Sequence, residues 1–267
     1  MTRYAAMFDR CAAAGEGALG AFVMLGDPDR DASAAYLDAL VDGGADMVEL
    51  GIPFSDPVAD GPVIQAAGIR ALAAGVRTAD CLALVAAFRR RHPDIPVGIL
   101  TYANIVAARG IDRFPLELAE AGVDSLLIAD VPSLEAAPYA AAVKAAGIDL
   151  VMIAAPNTPR GVLDGIAALS SGYTYCVARA GVTGADQQLA LDHAPLFAAL
   201  AEAGAPPPVL GFGIATPDHV AQAMASGAAG VISGSAIVRL IGEGRAPADV
   251  AAFVASLKQG TKRTAPR

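Results

Sequence analysis

Lysine is nearly missing from this 267-residue sequence, occurring only at Lys144, Lys258 and Lys262, on an expected helix and near the C-terminus. No lysine sits at the end of an expected strand, which argues against Schiff-base chemistry. Histidine is as scarce, at His92, His193 and His219, none of them at an expected strand end or at ligand-pair spacing. That argues against a histidine metal site, so no metal is expected. The three cysteines, Cys11, Cys81 and Cys176, are odd in number and far apart. They read as buried free thiols, with a cytoplasmic location as the expectation. Apolar runs are short. The stretch 145–155 is broken by Gly147 and Asp149, and a membrane span needs about 20 residues. Basic charge is outweighed: 19 Lys and Arg against 27 Asp and Glu give a net charge of −8 and a pI near 4.8. Nucleic acid and anionic membrane are thereby disfavoured as partners. A small phosphorylated ligand is not, because backbone amides can hold phosphate without net positive charge. Residues 1–16 read as a helix and not as a signal peptide.

What the chain does have is apolar periodicity. With 55% hydrophobic residues and no long polar tract, residues 1–267 read as one barrel-sized domain, with 259–267 as a polar, frayed tail. Strand-like runs fall at 20–25, 45–50, 97–101, 125–129, 150–154, 173–177, 209–212 and 230–232. Each is almost continuously apolar, as expected of parallel strands buried on both faces. Alanine-rich amphipathic segments lie between them, for example 31–41, 79–91, 134–145 and 217–225. Gly43-Gly44, Gly122, Gly147 and Gly227 mark helix ends turning into strands. Eight such units in about 250 residues predict an α/β fold, a single (β/α)8 TIM barrel. The expected decorations are an N-terminal helix, an extra helix at 62–73 after the second strand, and a short helix after the eighth. The connections 50–97 and 178–193 are long, open on the catalytic face of such a barrel and are candidate lids. A G-x-G-x-x-G match at 15–20 precedes a strand instead of following one, so a dinucleotide site fails on context.

The most informative stretch is 48–61, VELGIPFSDPVADG. Glu49 stands at the C-terminal end of a short apolar strand, and Asp56 and Asp60 follow on a loop stiffened by Pro53, Pro57 and Pro62. Burial can raise the pKa of one such acid while a solvated neighbour stays ionised, which suits proton transfer. At the other end of the chain, Gly211-Phe212-Gly213-Ile214 and Ser233-Gly234-Ser235-Ala236 follow the last two strands. Glycines allow close backbone approach and a helix N-terminus offers free N–H donors, so the two turns together suggest a phosphate site.

Plainer readings exist for each residue. Glu49 could be a structural acid paired with an arginine, and Asp60 could N-cap the extra helix. Asp56 reads as a solvated acid or a partner contact. Asp27 and Asp130, near prolines, read as turn or helix-start residues. Tyr102 and Tyr175 could simply fill the barrel mouth, and Phe22, Leu100, Ile153 and Phe212 could be plain core.

Taken together, the 48–61 stretch, the Tyr102-Ala103-Asn104 and Pro156-Asn157 turns, Gln65 with Arg70, and Gly234-Ser235-Ala236 closely resemble the tryptophan synthase alpha subunit family. The resemblance runs along nearly the whole chain. It implies a lyase that cleaves indole-3-glycerol phosphate to indole and glyceraldehyde 3-phosphate in tryptophan biosynthesis. Glu49 would then move protons at indole C3 and the 3′-hydroxyl, Asp60 would accept the indole N–H, and Tyr175 would line the site as the third catalytic-site residue. Phe22, Leu100, Tyr102, Ala129, Ile153, Thr183 and Phe212 would contact substrate, with Gly184, Gly213, Gly234 and Ser235 around phosphate. The resemblance further implies an α2β2 complex, with Pro53, Asp56 and Pro57 facing a beta subunit. This chain would need no cofactor of its own, since pyridoxal phosphate would belong to the partner. Met24, Ala154-Ala155 and Ala180 depart from the family pattern without touching a proton-transfer residue. The rival readings are a different phosphate-binding barrel isomerase or epimerase, a non-catalytic regulatory subunit, and a stand-alone lyase for the same substrate.

Overall fold

The computed structural model describes residues 1–177 and 193–263. Nine parallel strands form one sheet: β1 (Ala18–Met24), β2 (Met47–Gly51), β3 (Val97–Thr101), β4 (Ser125–Ile128), β5 (Asp149–Leu150), β6 (Ile153–Ala154), β7 (Thr174–Val177), β8 (Pro208–Gly211) and β9 (Gly230–Ser233). Their order is β5-β4-β3-β2-β1-β9-β8-β7-β6. The two sheet ends are consecutive in the chain. Val151 N–H donates to Leu126 O on one side, and Met152 O accepts from Tyr175 N–H on the other. The fifth strand is thus split, not missing, and its two halves join the sheet into the (β/α)8 barrel. The register places Phe22 beside Glu49 and Glu49 beside Gly98.

Twelve helices complete the described fold. The extra helix α3 (Pro62–Ala73) and helix α10 (Pro217–Ala225) match the expected bounds, while α2 (Arg30–Asp42) and α4 (Thr78–Arg91) exceed theirs by a residue or less at either end. Pro62 and Pro217 explain the sharp starts, since proline is tolerated in a first helical turn. The expected helix at 134–145 is corrected. Residues Ser133–Glu135 form a 3-10 turn, and α7 (Ala137–Ala145) begins afresh with Pro138 in its first turn, because proline cannot sit deeper. The short helix after the last strand is α11 (Ser235–Gly242), which α12 (Pro247–Gln259) follows.

Helix α1 (Arg3–Ala13) lies across the floor, burying Tyr4, Met7 and Cys11. The tail is also corrected in part. Thr261 is fully buried, its carbonyl accepts from Gly17 N–H at 2.8 Å, Lys262 bridges Glu16, and Arg263 N–H donates to Gly15 O. Residues 260–263 are therefore docked; the rest of the expected tail lies outside the described residues. Asp46 and Lys258 (2.7 Å) and Asp124 and Arg89 (2.6 Å) add buried or half-buried ion pairs at the same end.

Candidate active site

A cavity opens at the C-terminal ends of the strands, where barrel chemistry is expected. Its acid end is built by β2 and the loop after it. Glu49 is buried at the middle of β2, and the Tyr173 hydroxyl donates to its Oε1 at 2.8 Å. Its Oε2 has no partner among the described residues. Burial pushes the carboxyl up to about 7, and the Tyr173 hydrogen bond offsets this only in part. Among the described residues no arginine pairs with it, so the described structure offers no partner for the structural-acid reading.

Asp60 is buried on the cavity wall, and burial raises its carboxyl to about 6, again partly offset, here by the Tyr102 hydroxyl. It does not cap α3: Gly61 holds the N-cap position and makes no side-chain bond. Gln65 Nε2 instead donates to the Asp60 carbonyl at 2.7 Å, fixing the loop from the first turns of the helix. Tyr102 does not line the cavity. Its hydroxyl accepts from Ala59 N–H at 3.3 Å and donates to Asp60, and its ring packs on Phe54 with centroids 5.4 Å apart. It braces Asp60 from behind, beside the cavity wall that Asp60 forms.

Phe22, Leu100, Ala129, Ile153 and Phe212 make the apolar walls, and Tyr175 stands among them. Tyr175 has its place because the facing residue is glycine: a Cβ on Gly211 would fall 2.0 Å from the Tyr175 hydroxyl. Phe212 meets Tyr175 edge-on, with centroids 6.3 Å apart, and carries φ of +74°. A bulky residue in the left-handed region is strained, and such strain persists where surrounding structure holds it. At the far end the cavity is bounded by Gly213 (φ +75°), Gly234 and Ser235, the last at the start of α11. The N–H groups of Gly213 and Ile214 meet no acceptor among the described residues, and the first N–H groups of a helix have none within it.

Other expectations fall elsewhere. Asp56 is exposed and takes a hydrogen bond from Ser55 Oγ, while Pro53 is buried and Pro57 half-buried on the same loop. Thr183 and Gly184 lie outside the described residues. Asp27 forms a buried bidentate pair with Arg70 (2.7 and 2.8 Å), and Asp130 accepts from Ala103 N–H at the start of α5 (Ala103–Arg109). Among the described residues no three His, Cys, Asp or Glu side chains converge as metal ligands, and no single helix is long and apolar enough to cross a membrane. Sequence reasoning missed Tyr173 as the partner of Glu49. Its spacing of two from Tyr175 was the available signal, because alternate strand residues share a face.

The family model described as tryptophan synthase alpha chain matches residues 8–265. The tryptophan synthase alpha chain of Shewanella amazonensis is 53% identical over 241 residues, covering 90% of this chain and 91% of the relative. That of Klebsiella pneumoniae is 49% identical over 267 residues, covering 98% and 99%. Among solved structures, a chain of Mycobacterium tuberculosis tryptophan synthase superposes with a TM-score of 0.89 at 33% identity, covering 98% of this chain and 99% of its own. Tryptophan synthase subunit alpha from Legionella pneumophila gives 0.86 at 32% identity, covering 98% of each. With two raised carboxyls at one end of an apolar slot, N–H groups without acceptors among the described residues at the other, and relatives matching over nearly its whole length, this chain belongs to the tryptophan synthase alpha chain family.

Proposed function

We propose that Glu49 and Asp60 carry the family's reaction in this chain, with indole lying between the apolar walls and phosphate against the glycine-rich turns. As a family member the chain is a carbon–carbon lyase of tryptophan biosynthesis that cleaves indole-3-glycerol phosphate to indole and glyceraldehyde 3-phosphate. The observation that carries the residue assignment is the Glu49 Oε2, which has no partner among the described residues and is buried at the cavity, on a carboxyl with a pKa of about 7. A group titrating near neutrality can give a proton in one step and take one in the next. Glu49 protonates indole C3, making a cationic indolenine. The carboxylate then takes the proton of the 3′-hydroxyl, the O–H electrons form the aldehyde C=O, and the C3–C3′ bonding electrons return to the ring. The net change moves one proton from hydroxyl to carbon. Asp60, ionised, accepts the indole N–H and balances the positive charge that develops there. Tyr175 packs beside the glyceryl portion.

The decisive measurement is indole release from indole-3-glycerol phosphate, with and without a beta subunit; no release under either condition sinks the assignment. Phosphate recognition rests on backbone N–H groups in this reading. Gly213→Val forces a β-branched residue into φ +75° and is expected to raise KM for substrate about tenfold or more. Binding of free indole is expected to change less than twofold. Equal losses for both would place the phosphate elsewhere.

Membership of the alpha chain family supports a beta subunit as partner. The assembly belongs to the proposal: an α2β2 complex with pyridoxal phosphate in the beta subunit and Pro53, Asp56 and Pro57 facing it. Val58, 71% exposed on the same loop, adds apolar surface there. Beta-subunit docking is expected to speed cleavage by one to two powers of ten, about 1.4–2.7 kcal/mol of barrier. Asp56→Ala is expected to cut that activation while leaving the rate of the isolated chain within twofold. A variant as damaged in isolation as Asp60→Asn would show that Asp56 acts in the chemistry.

A further inference from the structure

The ladder between β8 and β9 ends at the pair Leu210 and Val231. Beyond it the two strands part, and the widening gap is where Gly213 and Gly234 bound the cavity. Strand pairing no longer holds residues 212–215, yet they carry two N–H groups with no acceptor among the described residues and two consecutive left-handed residues. One peptide within it is gripped at both ends by side chains. The Ile214 carbonyl accepts from Ser233 Oγ at 2.7 Å, and the Ala215 N–H donates to His219 Nδ1 at 3.4 Å. Ser233 is fully buried at the end of β9, and His219 is half-buried on the first turn of α10. The grips come from two different elements and fix both the carbonyl and the amide of a single peptide plane. The second one requires an unprotonated Nδ1, so the neutral imidazole carries its proton on Nε2.

We propose that Ser233 and His219 are positioning residues for phosphate: by clamping the Ile214–Ala215 peptide they set the direction in which the loop's free N–H groups meet the anion. Neither side chain lines the cavity, so neither touches the ligand. The inference rests on the phosphate reading above. A peptide held from two sides cannot rotate, and N–H donors aimed in advance bind an anion without reorganising.

The test uses the whole chain, with titration of glycerol 3-phosphate and of indole as separate probes and steady-state cleavage as the third readout. Ser233→Ala is expected to raise the Kd for glycerol 3-phosphate and the KM for substrate about tenfold. His219→Ala is expected to raise both about threefold, and His219→Asn, whose Oδ1 replaces the Nδ1 acceptor, to restore them. The Kd for indole and kcat are expected to stay within about twofold in all three. A merely structural role would weaken both probes alike, and that outcome overturns the proposal. Unchanged glycerol 3-phosphate binding in Ser233→Ala and His219→Ala, alongside weakened binding in Gly213→Val, also overturns it and leaves the phosphate site standing. Unchanged binding in Gly213→Val as well would remove the phosphate reading itself.

Discussion

Glu49→Gln is expected to lower kcat at least about a thousandfold, with glycerol 3-phosphate and indole still bound and the fold intact. It is also expected to make the protein more stable at alkaline pH. Burial holds the Glu49 carboxyl near 7 against an ordinary value of 4.5. A raised carboxyl favours folding fully below the ordinary value, and that contribution is lost as pH rises through the folded value. The loss from about pH 4 to pH 8 amounts to about 3 kcal/mol. Glutamine carries no such charge and keeps an oxygen for the Tyr173 hydroxyl. Urea unfolding at pH 5 and at pH 8 should therefore show the variant gaining on the wild type as pH rises. A stability difference that is flat with pH would mean that Glu49 is not the desolvated acid described above, and near-normal turnover would remove it from the mechanism.

Asp60→Asn is expected to lower kcat by about a hundred- to a thousandfold while weakening indole binding only slightly. The amide oxygen can still accept the indole N–H, but it cannot balance a cation. Asp60 must be ionised to act, and burial places its carboxyl near 6. The wild-type rate should accordingly fall as pH drops through that value, and this limb should be missing from the residual rate of the variant. A variant that keeps more than a tenth of the activity would leave Asp60 as a loop anchor held by Gln65 and Tyr102.

Much of this was legible in the sequence because the relevant signals are local. Continuous apolar runs announced parallel strands, Pro62 and Pro217 announced helix starts, and Gly213 and Gly234 announced turns open to close backbone approach. The interruption of the fifth strand at Val151 and Met152 left no mark, since both residues are as apolar as their neighbours and the break shows only in their hydrogen bonds. From its place after a strand Tyr102 read as filling the barrel mouth, and only the family resemblance implied a substrate contact. Its hydroxyl turns to Ala59 and Asp60, more than 40 residues earlier, and no periodicity encodes that. Tyr173 is further removed still, 124 residues from Glu49. The C-terminal residues looked polar enough to fray, but they are held by backbone bonds to residues 15–17, and backbone bonds depend little on side-chain polarity. Long-range partners decide which acid is desolvated, and they are what a linear pattern conveys least.

The register that joins Ala18 to Gly230 has a meaning in time. Strand β1 leaves the ribosome early, but its second neighbour, β9, is made roughly 210 residues later, a delay of roughly 10–40 s at ordinary rates of synthesis. Through that interval one edge of a wholly apolar strand has no partner, and such an edge invites pairing with another chain. The seam between β1 and β9 is thus the last join of the sheet that translation permits, so the newborn chain closes its barrel and loses its exposed edge at the same moment.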